Sequence, residues 1–348
     1  MREKRKTLRT GRELADAGVI AETRVPALEA VAARYAVAVT PAVAALIDER
    51  DEDPIARQFV PDEAELNVLS HEHADPIGDE RHSPVEGVVH RYKDRVLLKL
   101  THLCAVYCRF CFRREMVGPG EEQMLKPGAL KAALDYIAAH DEIWEVILTG
   151  GDPLMLSARR LRDIVKRLSL IEHVKVLRWH TRVPIVDPDR VDAALVRAIA
   201  SARQASYVAL HVNHPRELTG KVRAACTLLI KAGIPLLSQT VLLKGVNDDA
   251  GTLEALMRAL IEARIKPYYL HHADLAPGTS HFRTSVAEGQ QLVRELQARA
   301  SGLCQPRYVI DIPGGYAKAQ LACPDIEGQP GTYRLRDHNG CWHVYAGK

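Results

Sequence analysis

The sequence of 348 residues, 47% hydrophobic and 26% charged, has the composition of a globular protein, enough for one large domain with attachments or for two domains. Its formal net charge of +3, with acids and bases mixed along the chain, offers no strong polyanion-binding surface, so nucleic acid is not expected as a partner. The basic opening MREKRKTLRTGRELADAG runs into a charged helical pattern, and the apolar runs Val96–Leu100 and Ile234–Leu243 fall far short of the roughly 20 residues that span a bilayer, so neither an export signal nor a membrane segment is expected.

Residues 1–88 carry helical patterns around Val25–Tyr35 and Ala42–Ile47, then a polar, proline-containing stretch from Asp51 to Glu86, which predicts a helical N-terminal extension with irregular connections. From Arg95 the pattern changes to short β-branched runs alternating with amphipathic helices. The strand candidates are RVLLKLT (from Arg95), EVILTG (from Glu145), VKVLRWHTR (from Val174), SYVALHV (from Ser206), IPLLSQTVLL (from Ile234) and PYYLHHAD (from Pro267). Between them lie helical patterns such as Leu161–Leu170, Val191–Ala202, Lys221–Ala232, Thr252–Ala263 and Ala287–Ala300. Six βα units predict an α/β fold, a partial (β/α)6 barrel over residues 89–302 with functional residues at the C-terminal ends of its strands; a doubly wound sheet is the alternative. Residues 303–348 read as a small β segment, with Asn339-Gly340 as a hairpin turn.

Seven cysteines, an odd number, do not form a secreted disulfide framework; Cys226, Cys304, Cys323 and Cys341 are scattered, which fits a reducing cytoplasm. The other three, Cys104, Cys108 and Cys111, crowd into LTHLCAVYCRFCFRR directly after the first barrel strand. Three thiolates on one loop suit a [4Fe-4S] cluster, because soft sulfur ligands favour iron and three ligands leave one iron open. A zinc site completed by a neighbour such as His102 is the competing reading. Gly150-Gly151-Asp152, after the second strand, would let a ligand approach the backbone; by itself the pattern reads first as a tight turn, and the cysteines beside it reverse that order.

The C-x3-C-x2-C spacing resembles the signature of the radical S-adenosylmethionine (SAM) superfamily. HRYKDRVLL, CFRR, TGGDPLM, HVNHP, SQTVLLKGVND, PYYLHHADLAPGTSHFRT and VIDIPGGYAK together resemble, in order, successive blocks of the lysine 2,3-aminomutase family over about residues 85–320. The resemblance implies an isomerase that moves the amino group of lysine from Cα to Cβ through a 5′-deoxyadenosyl radical. It also implies pyridoxal 5′-phosphate (PLP) as a second cofactor and a one-electron donor such as flavodoxin or ferredoxin.

Carried over residue by residue, the resemblance places PLP on Lys318, after Pro313-Gly314-Gly315, with Arg91, Tyr92 and Arg95 around it and Gln239 near both cofactors. Arg113 would pair with the substrate carboxylate, and Asp274 and Asp311 would hold its ε-ammonium, a pairing that repels glutamate. His211 and Asn213 read equally well as structural hydrogen-bonding residues. Asp249 stands where some family members have a zinc-binding cysteine, so that zinc site is not expected; a homodimer is expected in place of their tetramer. The short chain is also similar to the branch that supplies β-lysine for elongation factor P, which uses the same chemistry; a mutase for another amino acid and a non-catalytic iron-sulfur protein are the remaining alternatives.

Overall fold

The computed structural model describes residues 6–48, 52–118, 123–322, 326–329, 332–337 and 340–345. The N-terminal region forms short helices, α1 (Gly11–Asp16), α2 (Val25–Ala32), α3 (Pro41–Ala44) and α4 (Ala56–Phe59), joined by loops and single 3-10 turns. Nine strands then make one sheet: β1 (Val88–Tyr92), β2 (Arg95–Thr101), β3 (Glu145–Gly150), β4 (Val176–Thr181), β5 (Ala205–His211), β6 (Leu236–Leu242), β7 (Ile265–His272), β8 (Arg307–Asp311) and β9 (Lys318–Gln320).

The strands lie in sequence order without a reversal, β2 to β8 parallel and β1 and β9 antiparallel on the two edges. A doubly wound sheet would reverse its order at a switch point, so the partial barrel is the observed architecture. β8 extends it by one parallel strand beyond the six read from the sequence. The two edges of this curled sheet meet through side chains: Arg91 Nη1 on β1 donates to Asp311 Oδ1 on β8 (2.9 Å), and the Lys318 backbone N–H on β9 donates to the Tyr92 hydroxyl (2.9 Å).

Helices fill the six crossovers: α5 (Pro127–Ala139), α6 (Ala158–Leu168), the single turn α7 (Val183–Val186) followed by α8 (Ala193–Ala200), α9 (Gly220–Lys231), α10 (Ala250–Glu262) and α11 (Val286–Arg299). In α6, Leu161, Ile164, Val165 and Leu168 recur at helical spacing and are buried, while Ser157 caps the free Arg160 N–H and Lys166 and Arg167 sit at the negative end of the dipole. Asp249 accepts from Thr252 N (2.8 Å) as the N-cap of α10. Along the strands alternate residues separate two environments. Val146, Leu148, Leu177, Trp179, Val208 and Leu210 pack into the core under the helices, while Glu145, Ile147, Thr149, Arg178, His180 and His211 face the interior of the barrel.

A second, antiparallel sheet of β10 (Ile326–Gln329), β11 (Thr332–Arg336) and β12 (Trp342–Tyr345) follows. Arg336 pairs with Trp342 across the expected hairpin, whose Asn339, like Cys323, lies outside the described residues. Among the described residues no helix is long and apolar enough to cross a membrane.

The tightest approach of helix to sheet is at Gly289 in α11, where an added Cβ would collide with the hydroxyl of Tyr308, a buried residue whose oxygen is fixed by His272 Nδ1 at 2.8 Å. Gly289→Ala is expected to lower the unfolding free energy by about 1–3 kcal/mol. Gly302→Ala, with open space around it, is expected to stay within about 0.5 kcal/mol of the parent. Equal denaturation midpoints for the two variants in guanidinium would show that this contact does not limit packing.

Candidate active site

The C-terminal ends of the parallel strands open into one cavity of about 490 Å³. Cys104, Cys108, Cys111, Gly150, Gly151, Asp152, Gln239, Arg91, Tyr92, Arg95, Arg113, Asp274, Asp311 and Lys318 all line it, so the candidate cluster, cofactor and substrate residues face a single space, while His102, Asn213 and Asp249 do not line it. Barrel topology explains the convergence, because each loop that follows a strand opens on the same rim.

The three thiols sit on the irregular loop after β2. Burial, and then the Asp152 carboxylate, pushes the Cys104 thiol well above its ordinary range; burial, and then Cys108, pushes Cys111 up to about 11. Cys108 differs from both, since Arg182 Nη1 lies 2.8 Å from its sulfur. Among the described residues no three His, Cys, Asp or Glu side chains converge as the ligands of a single ion would. Three sulfur donors without nitrogen or oxygen donors suit iron-sulfur chemistry.

Gly150 and Gly151 owe their missing side chains to the cysteine loop. A Cβ at Gly150, which also has φ +123°, would strike the Thr101 carbonyl, and one at Gly151 the Leu103 carbonyl. Their backbone therefore both lines the cavity and supports the thiols. The Asp152 carboxylate is taken up by the protein: it accepts from Leu154 N (3.0 Å), Thr181 Oγ1 (2.7 Å), Arg182 N (2.7 Å) and Val183 N (3.1 Å), locking the end of β3 to the end of β4.

At the other side of the cavity the charges alternate. Lys318 Nζ is paired with Asp311 Oδ2, and Arg91 holds the other Asp311 oxygen. Burial opposes ionisation of Asp311, but Lys318, His271 and Arg91 together outweigh it and keep the carboxyl below its ordinary value. Arg91 also lies 3.7 Å from Asp79, which accepts from Arg113 Nε (2.9 Å) and Nη2 (2.8 Å). Asp79 is 1% exposed and went unnoticed in the sequence, as did its effect of occupying two of the nitrogens of Arg113. Against burial, Arg113, Lys99 and Arg91 together hold its carboxyl down.

Asp274 is the exception, making no hydrogen bond or ion pair with the described residues. Burial, reinforced by the nearby Asp311, raises its carboxyl to about 7. Three histidines also face the cavity: burial drives His180 and His211 well below the ordinary value and, with Lys318, takes His271 to about 3, so all three are neutral imidazoles. Gln239 Nε2 stands 3.4 Å from His180 Nε2. Asn213 is structural, donating to Gln58 Oε1 (3.0 Å) and accepting from Val241 N (2.9 Å). Arg95 lies 3.9 Å over the Tyr92 ring.

Gly314 and Gly315 precede Lys318 with φ of +83° and +78°, and a Cβ at Gly315 would meet the Ile77 carbonyl. Tyr316 and Ala317 therefore stand outside the part of the loop that needs glycine. A half-buried lysine beside a tyrosine and arginines is chemically suited to hold an aldehyde cofactor with a phosphate tail, and the thiol loop across the cavity to hold a cluster.

Comparisons with known proteins agree with this donor set. Residues 98–257 match the sequence family of the radical SAM superfamily. An L-lysine 2,3-aminomutase of Acetoanaerobium sticklandii is 41% identical over 82% of this chain and 68% of its own length. The L-lysine 2,3-aminomutase of Escherichia coli is 40% identical over 78% of each chain. A glutamate 2,3-aminomutase of Clostridioides difficile is 35% identical over 84% of this chain and 69% of its own. With its thiol loop, its parallel barrel and these relatives, the chain belongs to the lysine 2,3-aminomutase family of radical SAM enzymes, isomerases that use an iron-sulfur cluster and SAM.

Proposed function

We propose that the chain converts L-lysine to β-lysine with PLP held on Lys318. The observation that carries this reading is the shared cavity, whose lining brings together a lysine paired with an aspartate, a partly committed arginine, an unpaired carboxylate and the three thiols of one loop. When bound, SAM supplies a 5′-deoxyadenosyl radical after one-electron reduction and PLP a conjugated ring that delocalises an unpaired electron.

The chain's own residues bind and orient. Cys104, Cys108 and Cys111 would hold the cluster, and the backbone of Gly150 and Gly151 would border SAM. Arg91 and Arg95 offer charge for a phosphate, with the Tyr92 ring held flat beneath the guanidinium of Arg95. Arg113 keeps Nε and Nη2 on Asp79, which fixes its plane and leaves Nη1 for a substrate carboxylate. Asp274, with Asp311 beside it, gives the far end of the substrate a negative site; a lysine ε-ammonium satisfies it, whereas the carboxylate of glutamate would add a third anion. The neutral histidines add hydrogen-bonding capacity without a competing charge.

Anaerobically reconstituted protein given SAM, PLP, a reductant and separate amino acids is expected to isomerise lysine and to leave glutamate unchanged, as read by chromatography and mass spectrometry. Turnover of glutamate in preference to lysine would overturn the substrate assignment. Lys318→Ala is expected to lose the absorption band of bound PLP while keeping its iron content and reductive SAM cleavage.

Asp274→Asn is expected to cost about 2–5 kcal/mol of lysine binding, the usual penalty for truncating one partner of a buried charge pair. SAM cleavage should survive the change. Because burial places the Asp274 carboxyl at about 7, the acid is neutral below that pH and attracts an ammonium only above it. KM for lysine should therefore rise as pH falls through about 7 and flatten above, and Asp274→Asn should lack this inflection; the same pH profile in both proteins would remove Asp274 from the substrate site.

A further inference from the structure

Arg182 follows β4 and was assigned no role from the sequence, yet it is the one side chain among the described residues that hydrogen-bonds a thiol of the cluster loop. Its guanidinium is buried and held through both terminal nitrogens, while Nε is buried without a partner. Nη1 donates to Cys108 Sγ (2.8 Å), and Nη2 donates to Gln58 Oε1 (2.6 Å) and Glu217 Oε2 (2.8 Å). Its backbone N–H is held by Asp152 (2.7 Å), and the rings of Phe59 and Phe110 flank the cation at 4.4 and 5.6 Å. Glu217 is itself 2% exposed and pinned by the N–H groups of Asn213 and His214, each at 2.9 Å. The guanidinium cannot follow a movement of Cys108 without breaking this network.

We infer that Arg182 tunes the cluster, raising its reduction potential by donating a charged hydrogen bond to the Cys108 thiolate. The inference rests on Cys108 being a cluster ligand. Reduction adds one electron to the cluster from an external donor such as dithionite, with no bond made and no proton moved. The added negative charge spreads over the sulfur ligands, so a cationic N–H donor at one sulfur favours the reduced state, and the aromatic walls limit screening of that effect by water. Cys104 and Cys111 take no side-chain hydrogen bond among the described residues, so the effect falls on one corner of the cluster. Arg182 is thus a positioning and tuning residue, acting through Cys108 and Glu217 and not by contact with the substrate.

Two variants separate tuning from folding. Arg182→Lys keeps the charge, but one ammonium cannot reproduce the fork that meets Cys108, Gln58 and Glu217 together. The double variant Arg182→Gln/Glu217→Gln removes the hydrogen bond while leaving no buried carboxylate unpaired. Each is reconstituted with iron and sulfide, assayed for iron content and thermal unfolding, and titrated with a dithionite-poised mediator mixture without SAM, the reduced cluster being read by electron paramagnetic resonance.

Both variants are expected to hold the cluster and to show a midpoint more negative than the parent, corresponding to at least a tenfold smaller reduced-to-oxidised ratio at fixed potential, which is about 59 mV for one electron. Clusters of unchanged midpoint in both would overturn the tuning role and leave the assignment of the cysteines standing. Loss of iron from variants that unfold like the parent would make Arg182 only a brace for the loop, and would equally overturn it. A parent protein that forms no cluster would sink the assignment of the cysteines, and the inference with it.

Discussion

The cluster loop depends on a buried ion network anchored in the N-terminal region. Residues 102–118 contain no helix or strand, so no backbone ladder fixes the three thiols. What fixes them is Glu65, which has no exposed surface and takes Arg109 Nε (2.9 Å) and Nη2 (2.6 Å) as well as Arg114 Nη2. Arg109 also reaches the Ala36 carbonyl (2.8 Å), and Arg114 reaches the Gly278 carbonyl (3.2 Å) and stacks over Tyr35 at 3.6 Å. Ordering loop backbone costs about 1–2 kcal/mol per residue. Removing one partner of a buried ion pair costs about 3–5 kcal/mol because it strands the other charge, so loss of Glu65 would leave two buried arginines unpaired and release the loop. The arginines alternate with the cysteines in CRFCFRR, and each one held inward orients the thiols next to it.

The cavity follows the same rule with one deliberate gap. Arg113, Asp79, Arg91, Asp311 and Lys318 form a chain in which each charge has an opposite neighbour. Unpaired charge in such surroundings is expensive, and the structure avoids it everywhere in this chain. Asp274 breaks the pattern, and its carboxyl responds by holding its proton up to about pH 7. A ligand that supplies a cation there restores the alternation, while Arg113, with a nitrogen to spare, calls for an anion at the opposite end. An amino acid with a second ammonium has this charge order, so the proposed substrate completes a pattern that the protein's own charges leave unfinished.

How much of this was readable in advance depended on whether the physical signal was local. Thiol spacing is local, and strand alternation is local; both lead to the loop and the barrel, whereas Arg113, Asp274, Asp311 and Lys318 stand out only through the family resemblance. Glu65 and Asp79 escaped because they lie in the polar stretch from Asp51 to Glu86, where no periodicity marks them, and meet their partners 44 and 34 residues further along the chain. The clue available was demand: several arginines gathered near the thiols need carboxylates if they are buried. β8 escaped for another reason, since its five residues, RYVID, follow a break after Gly302 and look like a tail until they pair with β7. The glycines after β3 stand out in the sequence, but their geometry is set by the Thr101 and Leu103 carbonyls, a contact that only folding creates.

The residues that would carry the chemistry also close the barrel. Sheet edges expose unpaired backbone groups and are usually covered or paired; here β1 and β9 face each other across a seam of side chains, not a ladder. Arg91 reaches Asp311, Lys318 donates its backbone N–H to Tyr92, and Arg81 Nη1 crosses to the Gly314 carbonyl (3.0 Å). The Lys318 side chain contributes to the seam only through its pair with Asp311. If its amine is consumed by a cofactor, Arg91 still holds Asp311 and the Lys318 N–H still holds Tyr92, so the barrel stays shut while one carboxylate oxygen is released toward the cavity. The seam thereby separates the two jobs of Lys318: its backbone closes the fold, and its amine is tied to the seam only through Asp311.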